Sequence, residues 1–598
     1  MNHRSIALSI IIAALASPFN VALAQDVMPL SEVRPGMRGY GLTVFQGTTP
    51  ERFDIEVIGV LHQFLPRQDL ILIRMDHPLL QRSGTVGGMS GSPIYVEGRL
   101  IGALAYGWLF AMDPIAGVTP IETMLEELHR PLRREPPVTG PPVPSGRAAA
   151  ARPTVVPSAL GAAPAYWQRF RDSEGPVPAA TPLLLGGFSA RIRRLVSELL
   201  GDFGMIPVEA GGGGRALGRA GPHPFVPGAA IGVQLLRGDL SATGIGTVTA
   251  VRGDSVLAFG HPMFGYGQQH YPVTTARIIT ILSSRRRSFK LGEPVAEAGA
   301  LIQDRQPCII ADTTRQGPMT ALEVRVHDRT SGRRDRFVMD VVRERFLLPV
   351  LTIASVASAL DRFASDRTDL TVGMRSVIDI AGHRALTLED QAFTTRGATD
   401  RSTLLGMRPI ASLAEVVNNP FEPAVVERVA LDVSFDFRRD AAEIVGAYVS
   451  AEELRPGSRV PVHVVLRPYD GPEELRVLYI DLPSTTAGQE IELHVTGGAA
   501  AEPPLPEPQS LDELLSNLER QGFPSTSLVV TLKRRAPGVS LRGHVAQNLP
   551  PSALDALRPL ALDAQEQPLT TIAQVSAPAG GVISGSARIR LNVEPRTW

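Results

Sequence analysis

A serine lies among glycines in the stretch TVGGMSGSPIYVEGRLIGAL, which spans Thr85 to Leu104. A serine hydroxyl becomes a nucleophile when a neighbouring base takes its proton, and acyl transfer also needs backbone N–H groups aimed at the developing oxyanion. Glycine permits backbone conformations that other residues avoid, so the amides of Gly88 and Ser90 can point at one spot. Gly91 leaves room for a substrate to approach, and Pro93 fixes the exit into the next strand.

Two catalytic templates place a serine in such a turn. The α/β-hydrolase elbow, G-x-S-x-G, requires a glycine where this chain has Ser92, and it requires a helix after the turn, whereas a strand-like run follows here. The chymotrypsin-like arrangement, G-x-S-G-x-P on a tight loop between strands, fits GMSGSP at every position. Two other interpretations stay open, namely a structural turn without catalysis and a nucleophilic Ser92.

Longer segments on both sides of the serine carry further motifs. MDHPLLQRSGTVGGMSGSPIYVEGRLIGAL contains the serine turn, GIGTVTAVRGDSVLAFGHPMFG contains a Gly-His pair, and LGEPV lies further on. These segments resemble the serine, histidine and PGE elements of the serine peptidases of the sporulation stage IV protein B (SpoIVB) type. The resemblance covers about residues 31–128 and 228–345, and it implies a chymotrypsin-like double β-barrel.

The resemblance also implies a catalytic triad. Ser90 matches the nucleophile of the family, His261 in FGHP matches its general base, and Asp76 matches its third residue, although the spacing from Asp76 to Ser90 is about one residue shorter. His77 is an alternative base, and Asp76 and His261 also have structural interpretations as a turn cap and a strand-end histidine. The family places its histidine first, so the order here implies permuted halves, which a triad defined by geometry tolerates.

The organisation along the chain follows from composition and periodicity. Short strand-like runs dominate, so we expect a mostly β protein with a few helices, in which β-sandwich-like domains follow the permuted double barrel. Thr119, Pro120 and Glu122 predict a capping box at a helix start. The predicted boundaries are a signal peptide over 1–24, a serine-bearing half over 25–130, a Pro/Ala-rich linker over 131–180, a histidine-bearing half over 181–403, a β-sandwich over 404–500, and a helix plus β region over 501–598.

The N-terminal residues have the pattern of a secretory signal peptide. Arg4 supplies the positive charge, an apolar run follows, and the A-x-A site at Ala22–Ala24 predicts a mature chain from Gln25. We therefore expect an exported protein, periplasmic or secreted, without a membrane span after signal cleavage. The net charge of −1 gives no reason to expect nucleic acid as a partner. No motif indicates a metal or another cofactor.

The sequence thus predicts an exported serine endopeptidase that acts on a protein or peptide substrate. Ser90, His261 and Asp76 would be catalytic, and the backbone amides of Gly88 and Ser90 would form the oxyanion hole. The C-terminal β domains are expected to bind or dock onto a cell-envelope protein. Two alternatives are a non-catalytic envelope binding or assembly protein on a peptidase scaffold, and an esterase that uses the same triad.

Overall fold

The computed structural model describes most of the chain. The described residues are 26–108, 111, 113–132, 165–170, 175–211, 217–284, 287–364, 369–450, 454–503, 505–520, 522–541, 544–547, 550, 552–553 and 565–595. The predicted signal peptide and most of the predicted linker therefore lie outside the described residues.

The described part of the chain is mostly β, as the sequence predicted. The strands of its first half are β1 Arg38–Thr43, β2 Glu51–Leu65, β3 Gln68–Asp76, β4 Val86–Gly87, β5 Pro93–Val96, β6 Arg99–Gly107, β7 Ile115–Pro120, β8 Val177–Pro178, β9 Thr181–Gly186, β10 Met205–Glu209, β11 Gly218–Arg219, β12 Ala230–Gly238, β13 Ser241–Arg252, β14 Ser255–Ala258, β15 Gly267–Leu282, β16 Ser288–Arg305 and β17 Cys308–Asp312.

The second half continues with strands, and helices occur throughout. The later strands are β18 Met319–Asp328, β19 Arg334–Val342, β20 Leu370–Ile380, β21 Leu386–Thr394, β22 Val426–Asp436, β23 Ala441–Tyr448, β24 Arg459–Pro468, β25 Glu474–Asp481, β26 Glu490–Gly497, β27 Ser527–Leu541, β28 His544–Gln547, β29 Gln565–Pro578, β30 Val582–Ser584 and β31 Ser586–Asn592. The helices are α1 Pro78–Ser83, α2 Ile121–Glu126, α3 Ala165–Gln168, α4 Ala190–Leu200, α5 Leu347–Ala364, α6 Arg401–Gly406, α7 Arg408–Val417 and α8 Leu511–Arg520.

Two closed six-stranded barrels are formed, and both have the same strand order. In the first, the neighbours run β1-β2-β3-β7-β6-β5, and β5 returns to β1. In the second, they run β12-β13-β14-β17-β16-β15, and β15 returns to β12. Numbered within each barrel, both orders are 1-2-3-6-5-4, with every pairing antiparallel. The predicted double barrel is therefore present, and closure pairs each barrel strand with a neighbour on both sides along most of its length.

The second barrel continues into a larger sheet, which crosses a predicted boundary. β12 also pairs with β19, and the sheet runs on through β18, β22, β20 and β21. The predicted division at residue 404 is therefore misplaced, because β22 pairs with β18 and β20 and not with the sandwich. Short-range alternation could not show this, since it does not reveal which strand is the neighbour.

One described helix is long and apolar enough to cross a membrane. This is α5, whose window has a mean hydropathy of 1.5. It packs against β18 and β19, and 83% of the window is buried inside the protein, as in the core helix of a globular domain.

A sandwich of two sheets follows after β22. One sheet has the order β25-β24-β23-β30, and the other has β28-β27-β26-β31 with β29 on β27. Side chains of both sheets share one core, which includes Val462, Val464, Leu493 and Val530. The alternation in EIELHVTG places every second residue of β26 in that core, as its period of two predicted.

Candidate active site

Ser90 and His261 occupy corresponding places in the two barrels. Ser90 lies in the connection between the third and fourth barrel strands, β3 and β5. His261 lies in the connection between the third and fourth strands of the other barrel, β14 and β15. Because the strand orders agree, two equivalent loops carry the two predicted catalytic residues.

The two loops are in direct contact. The Thr247 N–H donates to the Ser90 carbonyl at 2.8 Å, and the Phe259 N–H donates to the Thr247 carbonyl at 3.2 Å. Gly91 has a φ of +96°, and a Cβ there would lie 1.9 Å from Thr247 O and 2.5 Å from Phe259 N. This glycine is therefore required for the close approach of the barrels. The sequence-based explanation, room for substrate, is replaced by barrel packing.

Both loops also pack on β6. The Gly91 N–H donates to the Leu104 carbonyl at 2.7 Å, and Gly260 lies against Ala103 and Ala105 of the same strand. Thr119 Oγ1 donates to the Gly260 carbonyl at 2.6 Å. The predicted capping box is therefore wrong, because the Thr119 side chain joins the two barrels beside His261 and α2 begins without a side-chain cap.

Two amides of the serine turn are without an acceptor. The N–H groups of Met89, Gly91 and Ser92 donate to the carbonyls of Val86, Leu104 and Met89, respectively. Among the described residues, those of Gly88 and Ser90 donate to no carbonyl or side chain. Gly88 has a φ of +88°, which favours glycine. The two amides that the sequence predicts as an oxyanion hole are thus the ones left available.

The His261 ring is held in one tautomer. Its Nδ1 lies 2.8 Å from the Pro262 carbonyl oxygen, which can only accept, so Nδ1 carries the proton and Nε2 has the free lone pair. Burial, the largest influence, lowers the pKa of His261 to about 4, while the backbone carbonyls of Pro262 and Ala179 act in the opposite direction. The imidazole is therefore neutral at neutral pH, as a general base must be.

Ser90 Oγ and His261 Nε2 are both buried and both without a hydrogen-bond partner. They are consequently not hydrogen bonded to each other in this structure. A hydroxyl that can donate and a ring nitrogen that can accept are chemically complementary, and catalytic hydrogen bonds are often long before substrate binds. Phe259 and Gly260, immediately before His261, have φ values of +70° and +71°. Such unusual backbone at a buried non-glycine residue is common at functional sites.

Asp76 is not brought to His261. It ends β3 with an exposed side chain, and Gln81 Nε2 donates to its carboxylate at 2.9 Å. Its described contacts do not include His261, so its role as the third triad residue stays a prediction. His77 instead caps α1, where its Nδ1 accepts from the Leu79 N–H at 3.3 Å. Within the described ranges, no three His, Cys, Asp or Glu side chains come together as metal ligands would.

A different buried carboxylate supports the histidine loop. Asp304, near the end of β16, accepts hydrogen bonds from the N–H groups of Met263, Phe264 and Gly265 at 2.8, 2.7 and 2.9 Å. Burial raises the pKa of Asp304 to about 6 although these amides act in the opposite direction. Asp304 thereby fixes the loop that follows His261 without touching the imidazole. The sequence analysis missed it, since an aspartate before a turn gives no distinctive signal.

A buried lysine supports the serine turn. Lys290 Nζ donates to Thr43 Oγ1 at 2.8 Å and to Thr247 Oγ1 at 3.2 Å. The Thr247 hydroxyl in turn donates to the Gly88 carbonyl at 2.8 Å, and the Lys290 stem packs against Gly88. Burial lowers the pKa of Lys290 to about 7. A neutral amine has two N–H groups, which these two acceptors satisfy, whereas an ammonium would leave a third unpaired.

The chain covers this site with residues from the predicted linker. Trp167 of α3 packs edge-on against the His261 ring with centroids 6.3 Å apart, and its Nε1 donates to the Phe264 carbonyl at 3.2 Å. Ser90 and His261 are both 0% exposed. The predicted linker over 131–180 is thus not a separate spacer throughout, because its described part packs on both barrels.

One family model matches the N-terminal part of the chain. The model of the family described as SpoIVB peptidase S55 matches residues 14–125, which include Ser90 and the first barrel. The predicted resemblance to SpoIVB-type serine peptidases is confirmed for this segment, and it supports a serine peptidase. Neither a curated protein nor a solved structure matches the chain. The histidine segment lies outside the matched residues.

Proposed function

We propose that the protein is an exported serine endopeptidase in which Ser90 is the nucleophile and His261 the general base. The observation that carries this proposal is the meeting of two equivalent barrel loops, one with Ser90 and the other with a neutral His261. The amides of Gly88 and Ser90 also support it, because they are available to bind an oxyanion. Export is included because residues 1–24 have the pattern of a signal peptide.

The reaction follows from these groups. His261 Nε2 takes the proton of Ser90 Oγ as that oxygen attacks the carbonyl carbon of a peptide bond. The amides of Gly88 and Ser90 stabilise the oxyanion of the tetrahedral intermediate. His261 then gives its proton to the leaving amine, and a water molecule, deprotonated by the same ring, releases the acyl group. Asp304 acts as a positioning residue, since it holds the loop after His261.

A second candidate function is a non-catalytic binding or assembly role on the same scaffold. Complete burial of Ser90 and His261, and the missing hydrogen bond between them, favour it. The catalytic proposal therefore requires an opened form in which substrate reaches Ser90. An esterase with the same residues is a third candidate, and turnover of matched peptide and ester substrates separates it from an endopeptidase.

Labelling with a fluorophosphonate probe tests the proposal. We expect the wild-type protein to acquire one covalent label at Ser90, measured by intact mass and peptide mapping, and Ser90→Ala to abolish it. Ser92→Ala is the matched control, because Ser92 is buried two residues away with its Oγ donating to the Met89 carbonyl at 2.6 Å. This control should retain labelling. Folded wild-type protein that stays unlabelled, also after its covering residues are loosened, would support the non-catalytic candidate.

A pocket beside the serine turn indicates the substrate class. Its cavity volume is about 320 Å³. Gly87 forms part of its wall, next to Gly88 of the serine turn. The charged residues of its lining are Arg82 and Arg287, without an acidic one. We infer that the pocket prefers an acidic side chain before the scissile bond and disfavours a basic one.

Charge reversal at the pocket tests this preference. With peptidyl phosphonate probes that differ only in a glutamate or lysine next to the phosphonate, wild type should label several-fold faster with glutamate. Arg82→Glu should reduce or invert that ratio, because it places a negative charge at the pocket. Arg74→Glu, an exposed position of β3 outside the lining, is the control. An unchanged ratio in Arg82→Glu would contradict the assignment.

A further inference from the structure

A short strand from the chain itself occupies the edge of the first barrel. β8 pairs antiparallel with the end of β6, with Val177 opposite Gly107 and Pro178 opposite Tyr106. The Ala179 N–H then donates to the Ala105 carbonyl at 2.7 Å. This edge is available because β5 pairs with β6 only as far as Ala103.

The same segment runs directly through the candidate active site. The Ala179 carbonyl acts on the pKa of the His261 imidazole in the direction opposite to burial, and a Cβ on Gly87 would lie 2.8 Å from Ala180 O. The segment therefore lies beside both the turn that precedes the nucleophile and the general base. A substrate peptide must place its scissile bond in this same space if Ser90 is to attack it.

We propose that the β6 edge at Ala105–Gly107 is the binding edge for an extended peptide, and that Val177–Ala180 occupies it in the resting protein. The partner is a peptide that adds to the edge as an antiparallel strand, a mode in which main-chain hydrogen bonds supply affinity and pockets select side chains. The internal segment is then an autoinhibitory strand that substrate must displace. The catalytic consequence of displacement rests on the proposed peptidase function.

The internal strand is suited to displacement. It is two residues long, and Pro178 has no N–H to donate, so few hydrogen bonds hold it. A peptide without proline at that position can form a longer ladder on the same edge. Trp167, which covers His261, belongs to the same connection between the barrels.

Two proline variants test the proposal. Ala179→Pro removes the N–H that bonds to Ala105, whereas Ala180→Pro removes an N–H that donates no described hydrogen bond. Both are made in wild-type and Ser90→Ala backgrounds. We expect Ala179→Pro to speed hydrogen exchange at Gly107 at least tenfold in the Ser90→Ala background, and to speed fluorophosphonate labelling at least tenfold in the active background. Ala180→Pro should change the exchange rate at Gly107 and the labelling rate much less.

The outcomes separate the two proposals. Faster exchange in Ala179→Pro without any labelling supports the internal strand and contradicts the peptidase function. Unchanged exchange and labelling in a folded Ala179→Pro protein would overturn the autoinhibitory strand, whether or not wild type labels.

The peptide GPVPAATP, which copies residues 175–182, should slow labelling of Ala179→Pro when added in excess. If Ala179→Pro does not fold, Trp167→Ala should accelerate labelling by releasing the same cover, and no acceleration would count against the proposal.

Discussion

Replacing His261 with alanine is expected to slow fluorophosphonate labelling of Ser90 by about 10²–10⁴-fold, the contribution typical of a general base. The Ser90 hydroxyl has no hydrogen-bond partner within the described residues, so no other described group would take its proton in the variant. In wild type the labelling rate should rise with pH around an apparent pKa of about 4, well below the ordinary histidine value of 6.5, because burial disfavours the imidazolium.

His270→Ala is the matched control for this prediction. His270 lies on β15 of the same barrel, is also buried, and also has an Nε2 without a partner. Burial lowers its pKa too, but His270 lies on a strand and not in the loop that meets the serine turn. If both variants lose the same fraction of the labelling rate, the substitutions act through a general effect on the barrel. If His261→Ala labels as fast as wild type, His261 is not the general base.

The part of the site that could be predicted from sequence is the part that short segments specify. The glycine spacing around Ser90 determines the positive φ of Gly88 and leaves its amide available, and both effects act within a few residues. Likewise, alternation in β26 predicted a half-buried strand. The family resemblance added the histidine loop, although chain order alone could not reveal that it meets the serine loop.

The part that could not be predicted depends on strand register over long distances. Lys290 reaches Thr43 across 247 residues of sequence, and Asp304 reaches Phe264 across 40. Thr119 fits a local capping pattern, yet its hydroxyl bonds to Gly260 because β7 lies beside the histidine loop. A long-range contact thus replaced the local capping interaction that the sequence pattern predicted.

The scarcity of lysine in the chain has a physical meaning at Lys290 that the sequence alone did not reveal. The chain has only two lysines, Lys290 and Lys533, and all its other Lys/Arg positions are arginine. Arginine cannot lose its proton inside a protein, whereas lysine can when it is buried. A neutral amine fits the two threonine hydroxyls at this position, so lysine is the basic residue that this interior can accommodate.

Lys290→Met is therefore expected to stabilise the protein and to slow the labelling of Ser90. The folded pKa of about 7 lies below the unfolded value of 10.5, so the unfolded chain binds more protons between these pH values and wild-type stability rises with pH there. The gain from Lys290→Met should be several kcal/mol at and below about pH 7 and should diminish toward pH 10.5. Labelling should slow because Thr247, which donates to the Gly88 carbonyl, loses its lysine neighbour.

Chemical denaturation at several pH values, combined with labelling rates, measures both effects. Lys533→Met is the control, since it removes the only other lysine at a position that is not fully buried. It should change neither quantity much. A stability gain together with a loss of labelling is the pattern of a residue kept for function at the expense of folding. A loss of stability at every pH would instead show that the hydrogen bonds to Thr43 and Thr247 outweigh the burial of the amine, and Lys290 would then be a purely structural link between the barrels.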